Sequence, residues 1–193
     1  MSARERLLRS TRDLLWARGY ESTSPGAIQR EAGVGQGSFY HHFDGKLDLA
    51  GQALDSTSSE MVEAFDRTVA DAGDDPLDAL VAYLALERDA LRGCRLGRHA
   101  IESSIEEERL RAPVRAYFEH VERGLAQLLA ALEADGRLAP GLAPPDLAAS
   151  MVAGVQGAYV LARVHGEPER LAAALRGVRQ LLLAAMRGGA SSH

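Results

Sequence analysis

The chain has 193 residues, with 22 Lys and Arg against 27 Asp and Glu and a formal net charge of −5. That length allows one domain or two small ones and is enough to bury a sizeable core. A single cysteine excludes an intramolecular disulfide framework and a multi-cysteine zinc site, and it suits a reducing compartment. The chain holds 33 Ala and 27 Leu against 3 Ile and 11 Val, a balance that favours helices over strands and predicts an all-α protein. The longest strictly apolar run, Ala79–Leu86, spans eight residues, well short of the roughly 18 a bilayer requires. The N-terminus mixes charge into its first turns and lacks the apolar centre of a signal peptide. A cytoplasmic protein with no membrane partner is the expectation. Net acidity argues against a nucleic-acid partner, but the charge is uneven. Residues 1–50 carry 7 Lys and Arg against 6 Asp and Glu, net +1, and the remainder is net −6. A phosphate backbone feels only the nearby face of a protein. The first fifty residues therefore qualify as a DNA-facing module on an acidic body.

In chain order, Ser2 and Glu5 have the spacing of a capping box, and Leu7, Leu8, Leu14 and Leu15 follow at helical spacing, so the first helix is predicted over about 3–18 before Gly19 stops it. Thr23 and Ser24 cap a second helix that opens on Pro25, carries Ile28 inward and ends at Ala32. Gly33, an inward Val34 and Gly35 lead to a short third helix over about 36–43. Two short helices joined by a glycine-containing turn are what a helix-turn-helix requires. Asp44 and Gly45 end that unit, and a long fourth helix runs from Lys46 to about Ala72. Asp75 and Pro76 open a broadly apolar helix to about 92, a sixth is read over about 95–108, and a seventh begins at Pro113 and ends before Gly136. A loop rich in Pro and Gly covers 136–145, two last helices occupy about 146–165 and 168–187, and the tail from Gly188 has nothing to bury. The count is about nine helices and no strand.

The stretch Gly33-Val-Gly-Gln-Gly-Ser-Phe-Tyr-His-His-Phe-Asp-Gly-Lys46 resembles the signature of the TetR family of bacterial transcriptional regulators. The first helix, its Gly19-Tyr20 end and the Thr23-Ser24 cap fit the same pattern, so the close match covers about residues 4–50, and the rest agrees in helix number and breaks. Chemically, Gln36 and Ser38 stand at the end of the third helix that points at base edges, where glutamine pairs with adenine and the serine hydroxyl serves base or phosphate. Gly37 leaves room for close approach to DNA. Tyr40, His42 and, more weakly, His41 follow on that helix within reach of phosphates, and Lys46 opens the next helix in position for another. Thr23 and Ser24 precede the second helix, whose amides also favour a phosphate. Phe39 and Phe43 are expected in a small core with Leu14, Leu15, Ile28 and Val34. Two positions depart from the family pattern: Gln29 stands where a small alanine is common, and Gly26 where many relatives are basic.

Other chemistries fare poorly. Gly33, Gly35 and Gly37 suggest a dinucleotide loop, but Ser38 occupies the third glycine's place and a helix, not a strand, precedes it. Adjacent His41 and His42 diverge by roughly 100° on a helix and make a poor metal pair. No cofactor or catalytic constellation is expected. By the family resemblance a ligand pocket lies among the fifth to eighth of these helices, with Tyr83, Glu87, Cys94, His99, Glu102, Tyr117, Phe118, Tyr159 and Arg163 as lining candidates, against the plain alternative of core or surface roles. Cys94 follows Gly93 at a predicted helix start, where a thiolate is favoured; a buried structural cysteine is the simpler reading. The last two helices present Leu147, Met151, Val155 and Tyr159 on one and Leu171, Leu175, Val178 and Leu182 on the other. Against ordinary core packing stands the family's dimer, in which this two-helix face pairs with its copy about a twofold axis.

The reading is a DNA-binding domain over 1–50 and a ligand-binding and dimerisation domain over 51–193. It implies a homodimer that binds a double-stranded DNA operator as a repressor and is released by a small-molecule effector, with the fourth helix as lever. A constitutive regulator or activator with the same head is the alternative, and a helical enzyme or carrier a remote one.

Overall fold

The computed structural model describes residues 1–186. Arg187 and the tail from Gly188, expected to end the last helix and to lack packing, lie outside the described residues. Among the described residues there are eight α-helices, two 3-10 turns and no strand, so the all-α expectation holds. The helices are α1 (Ala3–Arg18), α2 (Pro25–Ala32), α3 (Gln36–His42), α4 (Lys46–Asp71), α5 (Pro76–Ala85), α6 (Glu108–Ala134), α7 (Pro144–His165) and α8 (Pro168–Ala185).

Capping chemistry sets most of the boundaries. Ser2 Oγ accepts from the Glu5 amide at 3.2 Å while the Glu5 carboxylate accepts from the Ser2 amide at 2.7 Å, which closes the capping box of α1. Ser24 Oγ accepts from the Ala27 amide at 3.2 Å, with Pro25 at the first position of α2. Asp75 accepts from the Leu77 amide at 2.9 Å and starts α5. Its carboxylate also takes both Arg137 nitrogens, at 2.9 and 3.0 Å, a planar two-point pairing that ties the start of α5 to the loop after α6 and holds the Asp75 carboxyl below its usual range.

Three stretches differ from the sequence expectation. First, α5 stops at Ala85 rather than near 92. The Arg88 guanidinium donates to the carbonyls of Tyr83 at 2.6 Å, Leu84 at 3.3 Å and Leu86 at 2.8 Å, so one side chain satisfies acceptors the helix end leaves open. Second, the predicted helix over 95–108 is two 3-10 turns, Gly97–Ile101 and Ser103–Glu106. Glu102 between them is extended, at φ −89° and ψ 143°. Third, α6 begins at Glu108, and Pro113 lies inside it. The Glu108 carboxylate takes Arg111 at 2.6 Å and Arg115 at 2.8 Å, which supports a first turn ahead of the proline at the cost of one backbone hydrogen bond.

The chain divides into two compact units. The first comprises Met1–Met61 together with Cys94–Tyr117, and the second comprises Val62–Gly93 and the chain from Phe118 onward. In the first unit Leu7, Leu14, Ile28, Ala32, Val34, Phe39, Phe43 and Leu49 form one buried cluster, as expected from sequence for both phenylalanines. In the second, Leu80, Val121, Leu125, Leu129 and Leu132 are fully buried, and α7 packs along α8. Gly154 permits that approach, since a Cβ there would stand 2.8 Å from Val178 Cγ2. By length and composition α7 alone among the described helices could cross a membrane; its buried stripe of Ala148, Met151, Val152, Val155, Ala158 and Ala162 is that of a bundle helix.

Candidate nucleic-acid interface and effector groove

The orientation of α3 follows from one residue. Phe39 is completely buried in the head cluster, which turns Gln36, Gly37, Tyr40 and His41 to solvent and leaves Ser38 and His42 half-buried. Tyr40 is 56% exposed although its ring packs edge-on to Phe39 at 5.0 Å. His41 and His42 stack edge-to-face at 4.9 Å. The turn into α3 depends on Gly33 at φ +60° and ψ 41°, a left-handed conformation that side-chain-bearing residues adopt at a cost. Val34, 6% exposed, anchors the turn to the core. An exposed polar strip of Gln36, Gly37 and Tyr40 on a short, firmly anchored helix is a surface that fits a DNA groove.

Thr23 does not belong with these residues. It is 1% exposed, and its hydroxyl donates to the Gly19 carbonyl at 2.6 Å, so it closes the connection before α2 and has no path to a phosphate. Ser24 is exposed, with its hydroxyl hydrogen still available after Oγ accepts from Ala27. The Lys46 ammonium sits 3.8 Å from the centre of the Tyr20 ring, a cation-π contact that fixes the start of α4. Burial draws its pKa down, with Glu102 and Glu21 opposing. Gln29 is half-buried beside the fully buried Ile28. At Gly26 a Cβ would meet only Arg30 Nη1, at 3.5 Å. Arg30, exposed one turn on, thus brings a guanidinium beside the Gly26 position. Arg30 was not among the residues expected at this surface, although its spacing of four from Gly26 puts the two on one helix face.

The Gly97–Glu106 strap grips the α1–α2 connection of this head. Glu102 Oε2 accepts from the Tyr20 amide at 3.0 Å and lies 3.2 Å from His99 Nδ1. Gly19, at φ +84°, faces the same carboxylate so closely that a Cβ would stand 1.5 Å from Glu102 Oε1. The Glu21 carboxylate in turn accepts from Ser103 Oγ at 2.6 Å and from the Ser104 amide at 3.1 Å, and these bonds lower its pKa. The Arg98 guanidinium donates to the Trp16 carbonyl. His99 is 3% exposed; a carboxylate on Nδ1 requires the proton there, and burial outweighs Glu102 to hold the imidazole below its ordinary pKa.

The nine expected pocket residues do not form one cluster. Cys94, His99, Glu102 and Tyr117 lie in the first unit, and Tyr83, Glu87, Phe118, Tyr159 and Arg163 in the second. Cys94 is buried, and its Sγ accepts from the Gly97 amide at 3.2 Å, which favours the structural reading of the thiol. Glu102, a lining candidate, is instead taken up by Tyr20 and His99. Tyr83 is 4% exposed, with its ring edge-on to Phe65 at 5.8 Å. Glu87 and Arg163 are exposed, whereas Tyr117, Phe118 and Tyr159 are half-buried. A groove of about 510 Å³ opens elsewhere in the second unit, between the last turns of α4 and the middle of α6. Its floor includes Phe65, Val69, Gly124 and Leu128, and its rim includes the Asp66–His120 pair at 2.7 Å, Arg123 and Gln127.

The expected dimer face also needs correction. Met151, Val155, Leu171, Leu175 and Leu182 are each at most 7% exposed within one chain, so nearly all of their surface is spent in the seam between helices. Leu147, Tyr159 and Val178 are half-buried. The exposed apolar side chains of the same helices are Val160, Leu161 and Val164 on α7 and Leu181 and Leu183 on α8.

A glycine-capped helix-turn-helix with an exposed polar third helix, carried on an otherwise helical chain, defines a DNA-binding transcriptional regulator. Residues 7–53 match the family described as bacterial regulatory proteins, tetR family, and residues 76–178 match the tetracyclin repressor-like C-terminal domain. The chain belongs to the TetR family of bacterial transcriptional regulators. It is 28% identical to the HTH-type transcriptional repressor DhaR of Mycobacterium sp. (strain GP1), over 93% of this chain and 92% of that one. It is 31% identical to an uncharacterised HTH-type transcriptional regulator of Mycobacterium tuberculosis, over 94% of each. A TetR transcriptional regulator from Chloroflexus aurantiacus superposes with a TM-score of 0.86 at 27% identity, covering 96% of both chains.

Proposed function

We propose that the chain acts in the cytoplasm as a homodimeric repressor with no enzymatic activity, released from its operator by a small molecule. The observation that carries the DNA reading is the burial of Phe39, which commits Gln36, Gly37 and Tyr40 to solvent on one face of α3. In this reading α3 enters the major groove, where Gln36 and Ser38 meet base edges. Ser24, Tyr40, His41, His42, Lys46 and Arg30 meet phosphates around it. A second copy pairs through the exposed α7 and α8 side chains, so that two heads address two half-sites. The unbroken course of α4 from Lys46 to Asp71 supports its role as the lever between effector and head. The effector must bind the DNA-free conformation more tightly than the bound one, and DNA must weaken its binding by the same factor.

The test is binding to the DNA upstream of the chain's own gene, followed by fluorescence anisotropy across salt concentrations. Tyr40→Ala and Lys46→Ala are each expected to weaken binding by about tenfold, and loss of a phosphate contact flattens the salt slope by about one unit. Binding untouched by both substitutions overturns the assignment of the head.

A further inference from the structure

The groove between α4 and α6 has a chemistry of its own. Along α6 it runs from His120 to Ala131, about 16 Å at 1.5 Å per residue, and its volume lies in the range of small-molecule sites. It is open because small residues line it: Ala70 on α4 faces it together with Gly124 and Ala131 on α6. Gly124 cannot be enlarged, since a Cβ there would stand 2.6 Å from the Phe65 ring, which is 4% exposed and forms the apolar floor.

The charges at the rim are not equivalent. Asp66 and His120 satisfy each other at 2.7 Å, and the His120 ring also packs edge-on to Phe65 at 5.9 Å. Arg123 lines the groove and also a neighbouring surface that it shares with Glu119, Glu122 and Pro145; the two glutamates themselves lie outside the groove lining. Arg123 itself makes no ion pair or hydrogen bond among the described residues, while Gln127, one turn further on, presents a second exposed donor at the same rim. An unengaged guanidinium with an amide four residues away, above an apolar trough, matches a ligand with one anionic head and an apolar body.

We propose that this groove binds an anionic amphiphile, with its carboxylate on Arg123 and Gln127 and its apolar body over Phe65, Val69 and Leu128. The proposal deepens the effector-responsive reading and rests on it only for the consequence that ligand binding releases DNA. Neither Asp66 nor His120 need change partner, so the carboxylate meets Arg123 without displacing an existing ion pair.

The experiment titrates the full chain with decanoate and, separately, decanol by calorimetry. Decanoate binds the native chain; Arg123→Gln weakens it by about tenfold or more while leaving decanol unchanged, because only the charged head is lost. Ala70→Trp, a substitution at an exposed position, fills the trough and removes binding of both compounds while circular dichroism and DNA binding stay as in the native chain. Decanoate binding that ignores both substitutions, or no binding by the native chain, overturns the proposal. A parallel titration of the DNA-bound protein separates the two readings: groove binding that leaves DNA in place keeps the site and removes its effector role.

Discussion

His99 shows how one residue reports on the strap that grips the head. It is nearly excluded from solvent, with Nδ1 donating to Glu102 and no hydrogen-bond partner at Nε2. Glu102 and Arg98 are the charged groups that act on it, and burial dominates both. The unfolded chain takes up a proton at this side chain near pH 6.5, whereas the folded chain resists until the pH is lower. The unfolded state therefore binds more protons in that window, and stability falls as pH drops below about 6.5. Urea melts of the native chain should show stability falling between about pH 7 and pH 5, a loss that His99→Gln flattens. Equal pH dependence in the two proteins would show that His99 is not the group responsible. Sequence spacing does not mark this histidine as buried: a helix over about 95–108 would carry Leu96, Ala100, Ile101 and Ile105 as its apolar side chains, yet Leu96 is fully buried while Ile101 is 88% exposed.

At the scale of elements, legibility follows locality. The boundaries of α1, α2 and α3 were readable because Ser2, Ser24, Pro25, Gly33 and Gly35 act within a few residues of themselves. The end of α5 was not. It is set by the reach of Arg88 back to three carbonyls, and no glycine or proline marks it. The strap is illegible in the sequence for a related reason: its conformation is fixed by Tyr20, Glu21 and Trp16, partners more than seventy residues away. The close approach of α7 and α8 rests on a contact that sequence spacing does not reveal, Gly154 against Val178. Gly154→Val should set a methyl-bearing carbon against Val178 and destabilise the chain by about 1–3 kcal/mol, and Val178→Ala in the same chain should recover most of that. Chemical denaturation of the two single variants and the pair measures the coupling; strict additivity would place the cost elsewhere.

For the whole molecule, the question is which apolar surface meets a partner. Periodicity alone picks out every leucine on α7 and α8, and it cannot say which of two stripes the chain itself covers. Burial of Met151, Val155, Leu171, Leu175 and Leu182 within one chain leaves Val164, 76% exposed, and Leu181, 74% exposed, as the prominent apolar positions. Val164→Glu combined with Leu181→Glu should yield a monomer in analytical ultracentrifugation with native helicity. DNA binding should fall by about a hundredfold or more, since one head lacks the second half-site. A dimer that survives both charges would move the interface off this face. The near-neutral net charge of residues 1–50 makes the same point from electrostatics: a head with a surplus of +1 gains little from phosphate attraction alone.

The contact between Gly19 and Glu102 bears on how such regulators are recombined. The compact unit that contains the reading helix is assembled from two separate lengths of chain, Met1–Met61 and Cys94–Tyr117. A chimera spliced after residue 50 would transplant the connection at Gly19 and Tyr20 while leaving behind the carboxylate that seats it, and any recipient strap with a side chain elsewhere would meet an uncapped amide. A transplantable reading module of this protein is thus a discontinuous one, cut in two places and moved as a pair.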